Sequence, residues 1–398
     1  MMFETKLPLK KASAIKRLAA AALCASVFGL GAVGAHAATR AQPFPEWPAP
    51  VIDPTLSVDQ AKALVAERSK PQTEWKGPTS GPRAPTGQFT IAWVSSDQSY
   101  TPYVYWGLGV EQAAKALGWK VVTLNGQGTV GGTLAAFQQA LSLNVAAIIT
   151  PADANALQQP IQDAVKRGIP VIGIHATAFP GPAPKLGLYQ NIASNPAEIG
   201  QTEAAYVIAD SNGTAHDIHI VDNSYAIARF KAQATIQPIQ HCAGCKLLTV
   251  VNQPIGDPTR MPSTISGLLS RFGDSWYMTT CCDGYYTAAA AALRSAGASP
   301  EKIHLIGADG PPATYQMIRK GQYQVADVPE PSSLFGFEAV DAAVHAMVGE
   351  PPAVFTQPTY IVTKDNVEAE GGNKNQFIPS NNFACHYEKI WLGQATGC

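Results

Sequence analysis

From Gln88 to Val328 the chain alternates short apolar runs with longer amphipathic stretches, and this alternation limits what it can fold into. Runs such as Phe89–Ser95 (FTIAWVS), Lys120–Leu124, Val145–Thr150 and Val171–His175 have strand length and β-branched content, and so predict four strands. The stretches between them, about Pro102–Leu117, Thr133–Leu143 and Leu157–Arg167, have helical periodicity; Thr101 is the expected N-cap of the first, with Pro102 behind it. After a Pro/Gly-rich loop at 179–186 the pattern resumes. Helices are expected from Pro196, Ala226, Thr259, Gly284 and Ala313, and strands at 217–222, 246–252, 276–280, 303–307 and 324–328. Strands separated by helices become parallel neighbours with right-handed crossovers. The expectation is an α/β fold of two Rossmann-like lobes with parallel sheets joined by a hinge, ligands lying at the carboxyl ends of the strands.

The flanks differ from this body. Residues 1–17 carry Lys6, Lys10, Lys11, Lys16 and Arg17, and an apolar run from Leu18 to Val33 is followed by Ala35-His36-Ala37. That order of basic, apolar and small residues predicts a signal peptide cleaved after Ala37, hence export to the periplasm of a Gram-negative cell. Residues 38–87 are Pro-rich and read as an arm with one short helix, opened by the capping-box spacing Ser57-Val-Asp-Gln60. The expected domains are therefore a signal peptide at 1–37, an arm at 38–87, and a first lobe at 88–190 completed by about 330–360. A second lobe at 191–329 follows, then a hinge return and disulfide-tied tail at 361–398.

Cysteine usage fits export. Cys24 leaves with the signal peptide, and Cys242, Cys245, Cys281, Cys282, Cys385 and Cys398 remain. In an oxidising compartment these read as disulfides, with neighbours in sequence pairing: Cys242–Cys245, Cys281–Cys282 and Cys385–Cys398. The Cys-x-x-Cys at 242–245 follows a helix and precedes a strand, the reverse of the redox motif's polarity, so it is expected to be a structural clip. Net charge −1 and 14% charged residues give no basic footprint for nucleic acid. Gly126-Gln-Gly-Thr-Val-Gly131 satisfies a dinucleotide-binding spacing but follows the second strand of its unit, not the first, and no cofactor is expected. With no nucleophile elbow, Walker loop or metalloprotease helix in the sequence, the chain is not expected to be an enzyme. No metal site is expected either, since His241 with two cysteines supplies only three ligands, and His216 and His219 face different sides of a strand.

Several segments, in order, resemble one family: FTIAWVS leading into Pro102-Tyr103, Val145-Ala-Ala-Ile-Ile-Thr-Pro-Ala-Asp153, Gly168-Ile-Pro-Val-Ile-Gly-Ile-His175, Ile306-Gly-Ala-Asp-Gly310 and Val362-Thr-Lys-Asp-Asn366. Across roughly 88–367 the chain is similar to the type I periplasmic solute-binding proteins of ABC transporters, the ribose/galactose-binding class. The arm, the Cys-x-x-Cys and the tail resemble a sugar-type subgroup. The resemblance implies a monomeric hinged clamp that captures a sugar or polyol and delivers it to a permease and its ATPase subunit. A periplasmic sensing receptor for chemotaxis or a sensor kinase is the second reading. The resemblance also implies the site residues. Tyr100, Tyr103 and Trp106 would stack on a sugar ring. His175 stands where the family has the Asp of an Asp-Arg fork. Arg229 is the expected clamp on the second lobe, Cys282 replaces a ligand-binding Asn, Asp309 matches the Asp of Gly-x-Asp-Gly, and Glu330 takes a hinge contact position.

Overall fold

The computed structural model describes residues 54–394 and Cys398. The signal-peptide reading at 1–37 lies outside these residues. Helix α1 (Val58–Arg68) opens with the expected capping box: Ser57 accepts from the Gln60 amide, and the Gln60 side chain accepts from the Ser57 amide.

The first lobe contains β1 (Thr90–Ser95), α2 (Thr101–Ala116), β2 (Lys120–Asn125), α3 (Val130–Ser142), β3 (Ala147–Thr150), α4 (Gln158–Lys166), β4 (Val171–Ile174), β5 (Gly181–Ala183) and β6 (Leu188–Ile192). The second contains α5 (Pro196–Asp210), β7 (His216–Val221), α6 (Ala226–His241), β8 (Lys246–Asn252), α7 (Met261–Phe272), β9 (Trp276–Thr280), α8 (Tyr286–Ser295), β10 (Ile303–Asp309), α9 (Pro312–Lys320) and β11 (Gln324–Pro329). Helix α10 (Ser332–Val348), strand β12 (Val362–Thr363) and helix α11 (Phe383–Leu392) complete the described chain. The sheets run β2-β1-β3-β4-β6-β5 and β12-β11-β10-β9-β7-β8. Both are parallel except at one edge, where β5 and β12 pair antiparallel.

Five elements escaped the sequence pattern, β5, β6, β12, α10 and α11, and two of them show a physical reason. Strand β6 reads LYQNI, and its Gln190 and Asn191 broke the apolar run; both are buried because their amides bond loops. Gln190 Nε2 donates to the Ala353 carbonyl, while Asn191 accepts from the Ala176 amide and donates to the Phe179 carbonyl. Helix α10 is buried on nearly all sides, so it lacks the polar stripe that periodicity detects. It crosses from the second sheet back to pack on α2, and a Cβ on Gly336 would fall 2.0 Å from the Gly109 carbonyl carbon. Glycine is required there because the two helix backbones touch. A smaller correction concerns α2: Tyr100, not Thr101, is the N-cap, and no side chain caps the helix.

The chain passes between the sheets at 193–195, at 330–331 and again before β12, which makes a hinge of three segments. The arm lies across both lobes. Ala61 and Val58 pack on Ala205 and Ile208 of α5, whereas Trp75 meets Phe355, His386 and Tyr387 beside the first lobe. Disulfides Cys242–Cys245 and Cys385–Cys398 are formed, the former closing the carboxyl end of α6. Cys281 and Cys282 are free thiols, which corrects the third expected disulfide. Both are buried in the second lobe's core just beyond β9, their Sγ atoms 2.8 Å apart in a thiol–thiol contact.

Candidate functional site

The carboxyl ends of β1, β3 and β4 face those of β7, β9 and β10 across a cleft, and the loops there hold the polar side chains. Tyr100 begins α2 and reaches across to the second lobe, where its hydroxyl donates to Asp309 Oδ2 at 2.8 Å. Its ring lies on Gly284; a Cβ at that position would fall 2.5 Å from Tyr100 Cε2, so a glycine there lets the lobes meet. One helical turn on, Tyr103 meets Tyr225 of the second lobe at the wall shared by the cleft's cavities. Trp106, another turn on, is 1% exposed and sits edge-on against His175, with ring centroids 4.6 Å apart. Its indole N–H has no partner, so this tryptophan is both core and cleft wall.

His175 and Asp309 each follow or end a strand with left-handed backbone, φ 61° and 87° respectively. Such conformations cost about 1–3 kcal/mol in non-glycine residues and persist where surrounding contacts impose them. Here the His175 amide donates to the Ile192 carbonyl, and the strained turn aims the imidazole at the hinge. His175 Nε2 lies 3.1 Å from Glu330 Oε1. Glu330 follows β11 between Pro329 and Pro331, which hold its backbone extended. Its other oxygen accepts from Lys231 Nζ at 2.9 Å, and Lys231 also reaches Asp309 Oδ1 at 3.4 Å.

Lys231 was absent from the sequence expectation, and Arg229 stood in its place. The two are separated by about 200° around α6, so only one can face the cleft. Ala228, Lys231, Ala232 and Thr235 form the buried stripe, and Lys231 is 1% exposed. Arg229 is half-buried on another face and donates to the Asn223 carbonyl at 2.5 Å, which corrects its assignment as the clamp. The signal for Lys231 was a lysine on an apolar i, i+3, i+4 stripe, a pattern that needs a buried partner.

The buried charges settle into a balanced set. Burial alone would raise the Glu330 carboxyl, but His175 and Lys231 beside it hold it below the usual carboxylate range. Burial opposes the Lys231 charge, and Glu330 and Asp309 outweigh it, keeping the ammonium protonated. Burial lowers the His175 imidazole, against the raising effect of Glu330 beside it. The Asp309 carboxyl is pushed up to about 8 by burial, against the opposing effect of Lys231. Cys282 is raised by its contact with Cys281 and by burial, so it faces the cleft as a neutral thiol. His175, Asp309 and Glu330 present ligand atoms within 4.8 Å of one another, a spacing a metal would accept. Lys231 contacts both carboxylates and already supplies the positive charge, so these residues do not fit a cation.

Tyr103, Tyr225 and Ile255 border two cavities and divide the cleft. The inner one, about 20 Å³, is walled by Tyr100, Trp106, His175, Lys231, Cys282 and Asp309. The outer one, about 390 Å³, lies between the loops of both lobes. The glycine loop 126–131 forms part of its wall, with Thr129 capping α3, consistent with a cleft loop on an edge strand. Seven of the eight expected ligand-binding residues thus converge on one cleft: Tyr100, Tyr103, Trp106, His175, Cys282 and Asp309 in the inner wall, and Glu330 behind them. Among the described residues no helix is long and apolar enough to cross a membrane.

A family profile described as a periplasmic binding protein domain matches residues 91–351. The ribose import binding protein RbsB of Bacillus subtilis is 26% identical over 262 residues, spanning 65% of this chain and 82% of that protein. Among solved structures, a sugar ABC transporter protein from Yersinia enterocolitica superposes with a TM-score of 0.66 at 19% identity, covering 79% of this chain and 99% of that one. A solute-binding protein from Agrobacterium vitis with bound α-D-tagatopyranose gives 0.64 at 18% identity, covering 73% and 99%. A second from the same organism, with bound allitol, gives 0.63 at 17%, covering 72% and 99%.

Proposed function

Since the chain belongs to the periplasmic binding protein family, we propose that it is the periplasmic solute-binding component of an ABC importer for a sugar or polyol. The observation that carries this reading is the cleft between the two lobes, bordered by strand ends of both sheets and backed by a three-segment hinge. The relatives support it: one is a ribose import binding protein, and two solute-binding proteins hold a bound tagatopyranose and a bound allitol.

Residues on each lobe have defined parts in such a clamp. Tyr100 on the first lobe and Asp309 on the second form a hydrogen bond that exists only when the lobes meet, and Tyr103 and Tyr225 border the cleft from opposite lobes. Phe179 and Phe230 add an edge-on contact at 4.4 Å beside the cleft. Each neutral hydrogen bond contributes about 1 kcal/mol net, so closure by these contacts is marginal and a bound solute shifts it readily. Glu330 joins His175 of one lobe to Lys231 of the other and so sits on the pivot. Tyr103 and Tyr225 offer ring surface to a sugar, and Thr129 and Ser224 offer hydroxyls. The role is binding without turnover. Its partners are a permease and an ATPase subunit, and it acts as a monomer after export from its signal peptide.

Thermal denaturation of the purified protein with pentoses, hexoses and polyols tests the reading, joined by X-ray scattering to follow closure. A specific solute at ~1,000 times its Kd adds about 4 kcal/mol of stability and raises Tm. A ligand that raises Tm and reduces the radius of gyration is the expected result. Failure of every sugar, polyol and sugar derivative to do either refutes it.

A further inference from the structure

The residues that the resemblance assigns to the solute engage one another. Tyr100 bonds Asp309, Lys231 is shared by Asp309 and Glu330, Glu330 meets His175, and the Cys282 thiol touches Cys281. None of these side chains belongs to a residue more than 9% exposed. The inner cavity they enclose measures about 20 Å³, room for one water molecule. A hexose ring displaces roughly six waters, or about 180 Å³ at the share each water has in the liquid. With the lobes closed, such a ring has no place in the inner cavity.

The outer cavity has the size the inner one lacks. At about 390 Å³ it is roughly twice the volume of one hexose ring and falls within the range usual for small-molecule sites. The two lobes meet around it. A Cβ on Gly256 would lie 3.4 Å from the Gly128 carbonyl oxygen, and the Ala226 amide lies 3.5 Å from Asp153 Oδ2. Both lobes also bare apolar surface to it: Val130 and Ala156 from the first, Tyr225, Pro254 and Ile255 from the second. Val130 is 63% exposed, more than any other large apolar side chain among the described residues. In a cleft wall, such surface is what the C–H face of a sugar ring covers.

We propose that the solute is a glycoside of two rings, larger than the tagatopyranose and allitol held by the relatives, and that it lies in the outer cavity. Tyr103, Tyr225 and Ile255, which divide the cleft, form its floor. The inner cluster of Lys231, Glu330, His175 and Asp309 then serves closure of the lobes and does not touch the solute. The inference rests on the importer reading and narrows its solute class.

Calorimetry with matched pairs tests it: cellobiose, maltose and phenyl β-D-glucoside against glucose, lactose and phenyl β-D-galactoside against galactose, and xylobiose against xylose. In at least one pair the two-ring member is expected to bind about 10-fold or more tighter than its one-ring partner. Ala156→Trp places an indole in the outer cavity and should weaken that binding about 10-fold or more, while Val130→Ser removes apolar wall and should weaken it about 3-fold. Both positions are exposed, so Tm and circular dichroism will register any loss of fold separately, and Val130→Ser, the smaller change, carries the test if Ala156→Trp unfolds. A one-ring sugar that binds as tightly as its two-ring counterpart overturns the inference and leaves the importer reading standing. Parental affinity for the two-ring solute in either folded variant does the same. No binding by any member of any pair also overturns the inference, while the wider solute screen decides the importer reading.

Discussion

Replacing Lys231 with methionine keeps the length of the side chain and removes its charge, which isolates the electrostatic role of the cluster. Lys231 and Glu330 are each 1% exposed, and their charged atoms are 2.9 Å apart. Without the ammonium, Glu330 keeps the His175 contact but loses its ion-pair partner, and Asp309 loses the cation beside it. Breaking a buried pair by removing one member costs about 3–5 kcal/mol, because the remaining charge stays buried. Lys231→Met should therefore lose about 3–5 kcal/mol in urea denaturation followed by tryptophan fluorescence. Glu330→Gln alone leaves an unpaired ammonium beside Asp309 and should lose a similar amount. The double variant carries neither charge and should return to within about 1 kcal/mol of the parent, giving a coupling energy of several kcal/mol. Single variants that each lose less than 1 kcal/mol, or a double variant whose loss equals the sum of the singles, would refute the buried-pair reasoning.

Further predictions concern closure, pH and the arm. A Cβ at position 284 would meet the Tyr100 ring, so Gly284→Val should hold the lobes apart, increase the radius of gyration in scattering and weaken solute binding at least 10-fold. The Asp309 carboxyl is pushed up to about 8 by burial, above the ~3.9 of a solvated aspartate, so folding takes up a proton there. Its contribution is complete below about pH 4 and is lost as pH rises through 8. Asp217, pushed up to about 7 by burial, and the buried carboxyls of Glu203, Asp327 and Glu338, raised by the same cause, act in the same direction, so the comparison with Asp309→Asn isolates the part due to Asp309 between about pH 6.5 and 8.5. Stability there should fall with pH in the parent and stay flatter in Asp309→Asn, as urea titrations at both pH values will show. Gly336→Ala would drive a methyl into the α2 backbone and should cost about 3 kcal/mol by the same denaturation assay. The Cys242–Cys245 bond closes a loop of three residues' separation, so a double serine variant should lose about 2 kcal/mol and keep its solute affinity in calorimetry.

Much of this protein was written locally in the sequence. The β-branched runs and the helical periodicity between them specified two α/β units, because strand pleat and helix repeat are short-range properties that neighbouring residues fix. The capping box at Ser57, the two disulfides between near neighbours, and the aromatic face of α2 are local in the same sense. The family resemblance added seven residues of one cleft, because the loops at strand ends keep their place along the chain. Tertiary structure decided what depends on distant partners. Strand β6 forms around Gln190 and Asn191 because the loop at 353 accepts from the Gln190 amide and the loop after β4 pairs with the Asn191 amide, and α10 exists as a buried helix because α2 covers it. Lys231 replaces Arg229 in the site because packing, not spacing, chose which face of α6 turns inward, and two carboxylates 78 and 99 residues away were there to receive it. Cys281 and Cys282 remain thiols, and four aspartates from separate loops share one cavity. A charge's environment is set by everything the fold brings within a few ångströms of it, and the sequence records only its neighbours along the chain.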